Sequence, residues 1–259
     1  MKRSAWRYLW TARDIRRKLL ITLGIMVIYR LAAHVPVPGV NREAIASLLT
    51  GGGATGTLVG IMDMLSGGTV ANFSVLAMGV YPYITSQIIL QLLVPVIPAL
   101  QRRMEEDPRQ GQKWMEKWTY VIAVPMAALQ GIGQIRIFGS FAGAPIIDNF
   151  GFSGATFLPS LAIILSMTAG TMFAIWLGEL ISEYGIRNQG LSLLIFAGIV
   201  SRIPQNIGQL ISDEQSRWFV MSFMLVLTVL IVFVIVVVQQ GQRNVPVMYP
   251  GRRVGRRMS

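Results

Sequence analysis

The chain has 259 residues, of which 53% are hydrophobic and 14% are charged, and its mean hydropathy is +0.55. Because soluble domains carry about 25% charged residues, this composition excludes an ordinary soluble domain and indicates a polytopic membrane protein. The sequence contains no cysteine, which excludes disulfides and thiolate metal sites.

Six apolar segments are long enough, or nearly so, to cross a bilayer, since a spanning helix needs about 20 apolar residues. These predicted spans are residues 19–34, 74–98, 118–137, 157–181, 190–211 and 218–238. The first contains Arg30 near its end, where a long cationic side chain can reach the interface. We therefore predict an all-α membrane protein, a polytopic bundle of about six transmembrane helices over residues 1–241, followed by the start of a basic cytoplasmic loop at 242–259.

Lysine and arginine are distributed unevenly between the two sides of the predicted bundle. Residues 1–18 contain seven of the 23, residues 101–117 contain five, the 182–189 loop contains Arg187, and residues 243–259 contain five. By the positive-inside rule, the side that carries these residues is cytoplasmic. We expect a multi-pass protein of the cytoplasmic (plasma) membrane, with both termini of this chain on the cytoplasmic side.

The second predicted span, SVLAMGVYPYITSQIILQLLVPVIP at 74–98, is apolar but contains Gly79, Pro82 and Pro95. The Gly-rich run MLSGGTVANF, residues 64–73, directly precedes it. A short element that leads into a broken apolar helix is typical of a pathway through the membrane rather than of a plain anchor. The long loop at 35–73 is predicted to be external, and a re-entrant helix inside it needs shielding by protein or by a water-filled cavity.

Catalytic and metal-binding chemistry has little support in the sequence. His34 is the single histidine, and Glu179 stands out among the acidic residues because it lies near the inner end of the fourth predicted span. An intramembrane carboxylate is a functional-site candidate by default, but the nearby Arg187 favours a structural ion pair. The sequence contains no Walker loop, HExxH or GxSxG motif. We therefore predict no enzyme activity, no metal and no cofactor.

Four sequence blocks, in the same order, resemble the SecY family, whose members form the channel of the bacterial Sec protein translocon. The blocks are YRLAAHVPVPGVN, MLSGGTVANFSVLAMGVYPYITSQIILQLL, TAGTMFAIWLGELISEYGIRNQGLSLLIFAGIVSRIP and VQQGQRNVPVMYPGRRVGRRM. In the family, these blocks form the first helix and its exit, the plug and second helix, the fourth and fifth helices, and the end of the sixth. The resemblance implies the amino-terminal portion, helices one to six, of a ten-helix clamshell built from two inverted repeats.

The resemblance implies a pore ring, an aliphatic constriction through which a polypeptide passes. The ring positions fall on Val80, Ile84, Ile195 and Ile199. A spacing of four residues puts each pair on one face of a helix. Spacing alone favours the alternative that these are ordinary aliphatic residues facing lipid or the core, and it is the resemblance that supports a ring.

The resemblance also implies a plug, a short helix that closes the external funnel of the channel. This plug segment consists of Met62, Asp63, Met64, Leu65, Ser66, Gly67, Gly68, Thr69, Val70, Ala71 and Asn72. Glycines within it allow bending and close packing.

The basic tail resembles the start of a family loop that docks the SecA motor or the ribosome. Its implied contact residues are Arg243, Arg252, Arg253, Arg256 and Arg257. For each single arginine, a plain role in setting membrane topology is an equal alternative.

The function implied by the resemblance is that of a protein-conducting channel subunit, which translocates secretory polypeptides and releases membrane segments into the bilayer. The implied partners are SecE and SecG subunits, the SecA motor or the ribosome, signal-sequence-bearing polypeptides and the lipid bilayer. The alternatives are a small-molecule secondary transporter, an intramembrane enzyme and a non-conducting membrane scaffold.

Two features depart from the family pattern. The chain has six predicted spans where the family has ten, so we expect it to be one piece of a longer or split protein. At 185–190 the chain reads GIRNQG where the family reads GIGNG. Because of the extra residue and the arginine, the resemblance does not imply the partner contacts of this loop.

Overall fold

The computed structural model describes residues 13–41, 43–45, 47, 59–61, 63, 66, 68–70, 72–143, 145–147, 150–212 and 217–241. Its principal helices are α1 (Arg13–Ala32), α2 (Tyr81–Val96), α3 (Pro98–Glu106), α4 (Pro108–Ala142), α5 (Phe157–Tyr184), α6 (Gly190–Ser212) and α7 (Arg217–Gln239). A 3-10 turn at Gly154–Thr156 leads into α5. Within the described residues, β-structure is confined to two isolated bridges, Pro36 with Ser74 and Val40 with Ile147. The predicted all-α class is confirmed.

Three helical stretches in the described part of the chain are long and apolar enough to cross a membrane. They are Pro108–Ala142, Gly154–Tyr184 and Ser222–Gln239. The pair α2 and α3, bent by 95°, adds a fourth if it is counted as one span, and the apolar part of α6, Gly190–Pro204, is shorter. These helices support the multi-pass class, whereas the total of six spans and the orientation of the termini stay predictions.

The chain divides into two compact units, Met1–Pro204 and Gln205–Ser259. The second unit contains α7, whose side chains from 222 to 239 are all exposed. A helix that is apolar all round is suited to lipid or to other apolar helices. The residues predicted to form the ring and the plug belong to the first unit.

The second predicted span is helical over only part of its length, because residues 75–80 form turns and α2 follows them. Gly79 has a φ of +55°, a left-handed conformation that glycine adopts without strain and that interrupts a helix. Pro82 lies in the first turn of α2, where a missing N–H costs no helical hydrogen bond. At the other end, Pro98 favours an extended Ile97 and so ends the helix.

Two apolar clusters pack the first unit. One joins α1, the turns before α2, α5 and α6, and includes Ile25, Tyr29, Leu76, Val80, Ala174, Leu177, Ile181 and Leu194. The other joins the loop after α1 and the turns before α2 to α4 and α5, and includes Val37, Phe73, Met78, Ala127, Phe138, Ile147 and Met167. Within a bilayer, such clusters stabilise the fold mainly through close packing, because lipid tails are as apolar as the side chains.

Two glycines let α5 and α6 approach each other closely. Gly190 begins α6 directly against Gly178 of α5, and a Cβ built on Gly190 would overlap the carbonyl oxygen of Gly178. The N–H of Gly190 also donates to the hydroxyl of Ser182 at 3.1 Å. This contact anchors the start of α6, five residues before Ile195.

The chain segments on either side of the loop that contains the plug segment run next to each other. The N–H of Val37 donates to the carbonyl of Phe73, and the N–H of Val75 donates to the carbonyl of Val35, both at 3.0 Å. These bonds hold together the residues that follow α1 and the residues that precede α2. They therefore tie the two ends of this loop to each other.

Candidate pore constriction and plug

The structure brings together three of the four residues predicted to form a ring. Val80, at the start of α2, is buried in the cluster with Leu194 of α6. Ile84 and Ile195 are half-buried and pack against the same cluster. Ile199 is also half-buried, but it lies one turn further along α6 and is not among the members of this cluster. Aliphatic side chains from the start of α2 and from α6, far apart in sequence, thus pack in or against one cluster.

A small cavity of about 20 Å³ lies beside these aliphatic residues. Its lining residues are Tyr29, Ser66, Gly79, Val80, Tyr81, Leu194, Ile195 and Gly198. The cavity therefore connects two of the predicted ring residues with one residue of the plug segment. Sequence reasoning missed Tyr29 and Leu194, because an apolar or aromatic residue inside an apolar span carries no local signal that distinguishes a cavity wall from a lipid contact.

Six residues of the plug segment fall within the described part of the chain: Asp63, Ser66, Gly68, Thr69, Val70 and Asn72. The other five, Met62, Met64, Leu65, Gly67 and Ala71, lie outside the described residues.

Among the described plug residues, Asp63 and Ser66 are helical, and residues 68–70 and 72 form a bend and turns. The Ser66 hydroxyl and the Gly68 N–H both donate to the Asp63 carbonyl, at 3.0 and 2.8 Å. The Thr69 hydroxyl donates to the Ser66 carbonyl at 3.1 Å. Gly68 has a φ of +89°, which is why glycine suits this position.

An ion pair connects the plug segment to α6. The Arg202 Nη2 lies 2.6 Å from the Asp63 Oδ2. Arg30, at the end of α1, also interacts electrostatically with Asp63 and Arg202. The sequence showed these residues only as isolated charges near predicted helix ends or in a loop, and it contains no local pattern that pairs them.

A second cavity, of about 450 Å³, lies between the plug segment, α2 and α4. It is lined by Ser66, Val70, Ala77, Met78, Tyr81, Gln130, Gly133, Gln134, Ile137 and Phe138. Most of these side chains are apolar, and the Gln130 amide donates to the Thr85 hydroxyl at 3.4 Å. A cavity with such walls suits an apolar side chain or segment better than a charged ligand.

Glu179 does not form the ion pair with Arg187 that the sequence suggested. Instead, its carboxylate accepts a hydrogen bond from the Tyr120 hydroxyl, which joins α5 to α4. The prediction of an Arg187 partner was wrong because it considered only residues near in sequence, whereas helix packing supplied a partner 59 positions away. The structural character expected for Glu179 agrees with this bond.

We expect Tyr120→Phe to lower the free energy of unfolding by about 0.6–1.7 kcal/mol, the range of interhelical hydrogen bonds in membrane proteins. Glu179→Gln should lower the free energy of unfolding less in the Tyr120→Phe background than in the parent protein, because the two side chains share one hydrogen bond. Unfolding of the purified protein in mixed micelles measures both effects. Tyr184→Phe, at an exposed tyrosine near the end of α5, is the matched control. An equal loss in the Tyr184 variant would contradict the assignment.

Two further predictions concern other parts of the chain. His34 lies at the end of α1, with its Nδ1 2.7 Å from the carbonyl oxygen of Arg30. Among the described residues, no group of three or more histidine, aspartate or glutamate side chains is arranged to hold a metal.

The predicted docking residues, Arg243, Arg252, Arg253, Arg256 and Arg257, lie outside the described part of the chain.

The fold and the site together define the class of protein. This is a polytopic helical membrane protein in which a broken helix and an aliphatic cluster adjoin a compact polar-and-glycine turn.

Comparison with known proteins identifies the family. Residues 74–259 match the family model SecY. The chain is 36% identical over 249 residues to the protein translocase subunit SecY of Streptomyces scabiei, covering 94% of this chain and 56% of that protein. It is 37% identical over 256 residues to the same subunit of Aquifex aeolicus, covering 96% and 58%. The chain belongs to the SecY family, and it spans a little over half the length of these relatives.

Proposed function

We propose that this chain supplies the amino-terminal half of a protein-conducting channel in the cytoplasmic membrane. The observation that carries the proposal is the meeting of Val80, Ile84 and Ile195, from α2 and α6, in one aliphatic cluster beside a residue of the plug segment. Family membership supports a pore role for this contact between Val80, Ile84 and Ile195, because the resemblance puts the pore ring at these positions.

An aliphatic constriction suits the passage of polypeptides of any sequence. It offers no charge and no hydrogen bond that would hold a moving chain at one place. When the constriction is empty, apolar walls favour dewetting, which blocks ions. We assign the buried Val80 and the half-buried Ile84 and Ile195 to the pore ring, with the half-buried Ile199 one turn further along α6.

The described residues of the plug segment support a closing element near this constriction. Ser66 lines both cavities, the small one beside Val80 and Ile195 and the large one against α2 and α4. Movement of this segment would therefore open space next to the constriction and next to α4 at once. We assign the plug function to residues 62–72 as a whole.

The large apolar cavity supports a lateral route for apolar segments. The family resemblance places one wall of a lateral gate on the second and third spans, which correspond to α2 and α4. We propose that signal sequences and membrane segments leave along this wall into lipid, and that a carboxy-terminal half, such as the remaining length of its relatives, supplies the opposite wall.

The partners follow from the same assignment. We propose that SecE and SecG subunits surround the assembled channel, and that the basic residues at 243–259 dock the SecA motor or the ribosome through acidic protein or ribosomal RNA. Both termini of this chain are then cytoplasmic, in agreement with the positive-inside rule.

A site-specific photo-crosslink from Ile84 tests the proposed function. The chain is completed with the carboxy-terminal half, a photoreactive amino acid replaces Ile84, and a secretory chain is stalled during its passage through the membrane. We expect a crosslink that depends on a functional signal sequence. The matched control carries the probe at Ile89, an exposed position on the same helix, where we expect no such crosslink.

Absence of the Ile84 crosslink, in a protein shown to be inserted and folded, would contradict the channel. That outcome would favour a secondary transporter or a non-conducting scaffold.

A further inference from the structure

Asp63 and Arg202 form a partly buried ion pair between the plug segment and α6. The two side chains are 12% and 19% exposed, and their atoms approach to 2.6 Å. The bond joins residues 139 positions apart, so it depends on how the loop packs against the bundle.

Gly68 provides room for the guanidinium of Arg202. A Cβ built on Gly68 would overlap the Nη2, Cζ and Nε atoms of that arginine. The guanidinium therefore lies directly against the backbone of the plug turn, in addition to meeting the carboxylate of Asp63. Since Gly68 also has a left-handed φ of +89°, the turn needs glycine here both for its conformation and for this contact.

Arg202 lies on the helix that carries the constriction. It is three residues after Ile199 and seven after Ile195, spacings that put all three on one face of α6. On the plug side, Ser66 follows Asp63 by three residues and lines the cavity that also contains Val80 and Ile195. The ion pair thus connects the plug turn to the helix face that we assign to the pore.

We infer that Asp63 and Arg202 act as a latch that holds the plug segment in its closed position. Outward movement of the segment takes Asp63 away from Arg202 and leaves the partly buried guanidinium without this carboxylate, which is unfavourable. Arg30 is repelled by Arg202 and attracted by Asp63, and of these two interactions only the attraction to Asp63 is lost when the plug segment moves. The inference rests on the proposed plug function, and it names the positioning residues that set how readily the plug moves.

Cysteine crosslinking measures the position of the plug without requiring transport. The sequence contains no cysteine, so Ser66→Cys and Gly198→Cys, which line the same cavity, introduce the only thiols of the chain. In membranes that contain the completed protein, we expect a short bismaleimide to join them rapidly. Asp63→Asn should slow this crosslink roughly fivefold or more, within the usual range for coupled neighbours.

Three further variants separate a latch from a general structural role. Arg202→Gln should slow the crosslink as Asp63→Asn does, and the double variant should be no slower than either single one, because one interaction is lost once. Asp63→Glu, which keeps the charge, should restore most of the rate. Arg136→Gln, at an exposed arginine whose guanidinium lies 5.7 Å from the Phe150 ring, is the matched control and should leave the rate unchanged.

The outcomes distinguish the latch from the proposed function. A parental crosslinking rate in both Asp63→Asn and Arg202→Gln would overturn the latch, even where the Ile84 photo-crosslink supports the channel. A slowed rate together with no Ile84 photo-crosslink would support the latch and contradict the channel. If Asp63→Asn fails to accumulate in membranes, Arg202→Gln tests the same ion pair, and we expect it to slow the crosslink in the same way.

Discussion

Replacing Ile84 by asparagine should raise the ion leak of the completed channel. Burying an amide group without a hydrogen bond costs about 1–3 kcal/mol in proteins. An amide in the constriction therefore favours water there by a similar amount and should raise the leak about five- to 140-fold. Conductance of the purified protein in a planar bilayer, without a translocating chain, measures the leak. A relaxed requirement for a signal sequence is the second expected result.

Two variants control for the chemistry and for the helix. Ile84→Leu keeps an aliphatic side chain and should leave the leak close to that of the parent. Ile89→Asn makes the same change on the same helix at an exposed position, and it should not raise the leak. Equal leaks from the asparagine variants at Ile84 and Ile89 would show that the effect arises from disturbing α2 and would contradict a role for Ile84 in the constriction.

Replacing Gly190 by alanine should strongly destabilise the protein. The added Cβ would overlap the carbonyl oxygen of Gly178, and backbone atoms move less readily than the end of a side chain. Overpacking of this kind costs about 1–3 kcal/mol and occasionally more, and we expect the upper end here because α5 and α6 must move apart. Chemical unfolding in mixed micelles measures the loss, which should accompany faster proteolysis of the 185–190 loop.

Gly24 provides the matched control for this substitution. It lies within α1, and a Cβ built there meets nothing within 4 Å. Gly24→Ala should therefore leave stability unchanged or raise it slightly, by about 0.5–1 kcal/mol, because alanine favours helix. Similar behaviour of the alanine variants at Gly24 and Gly190 would show that the close contact of α5 with α6 does not matter for stability.

Local signals located the break in the second predicted span but not its limits. Gly79, one of the three residues predicted to interrupt the span, lies at the break, whereas Pro82 lies in the first turn of α2 and Pro95 lies inside that helix. The predicted span begins at residue 74, whereas α2 begins at Tyr81 and residues 75–80 form turns. Apolar character extends across the turns because they pack inside the bundle, so hydropathy alone does not separate turn from helix there.

The partner of Glu179 shows a different limit. Proximity in sequence favoured Arg187, but the packing of α4 against α5 placed the Tyr120 hydroxyl at the carboxylate. A hydrogen bond between two long helices depends on their relative rotation and height. Neither the rotation nor the height can be predicted from the hydrophobic periodicity of a single helix.

The sequence by itself determined the membrane class, the positive bias of one side, the broken second span and, through four ordered blocks, the family. These features are local or compositional, and each follows from the preference of residue types for lipid, interface, helix or turn. Only the tertiary structure decided that Val80, Ile84 and Ile195 share one cluster and that Asp63 meets Arg202. The physical reason is that such contacts arise when helices pack, and close approach at glycines such as Gly190 sets which faces meet.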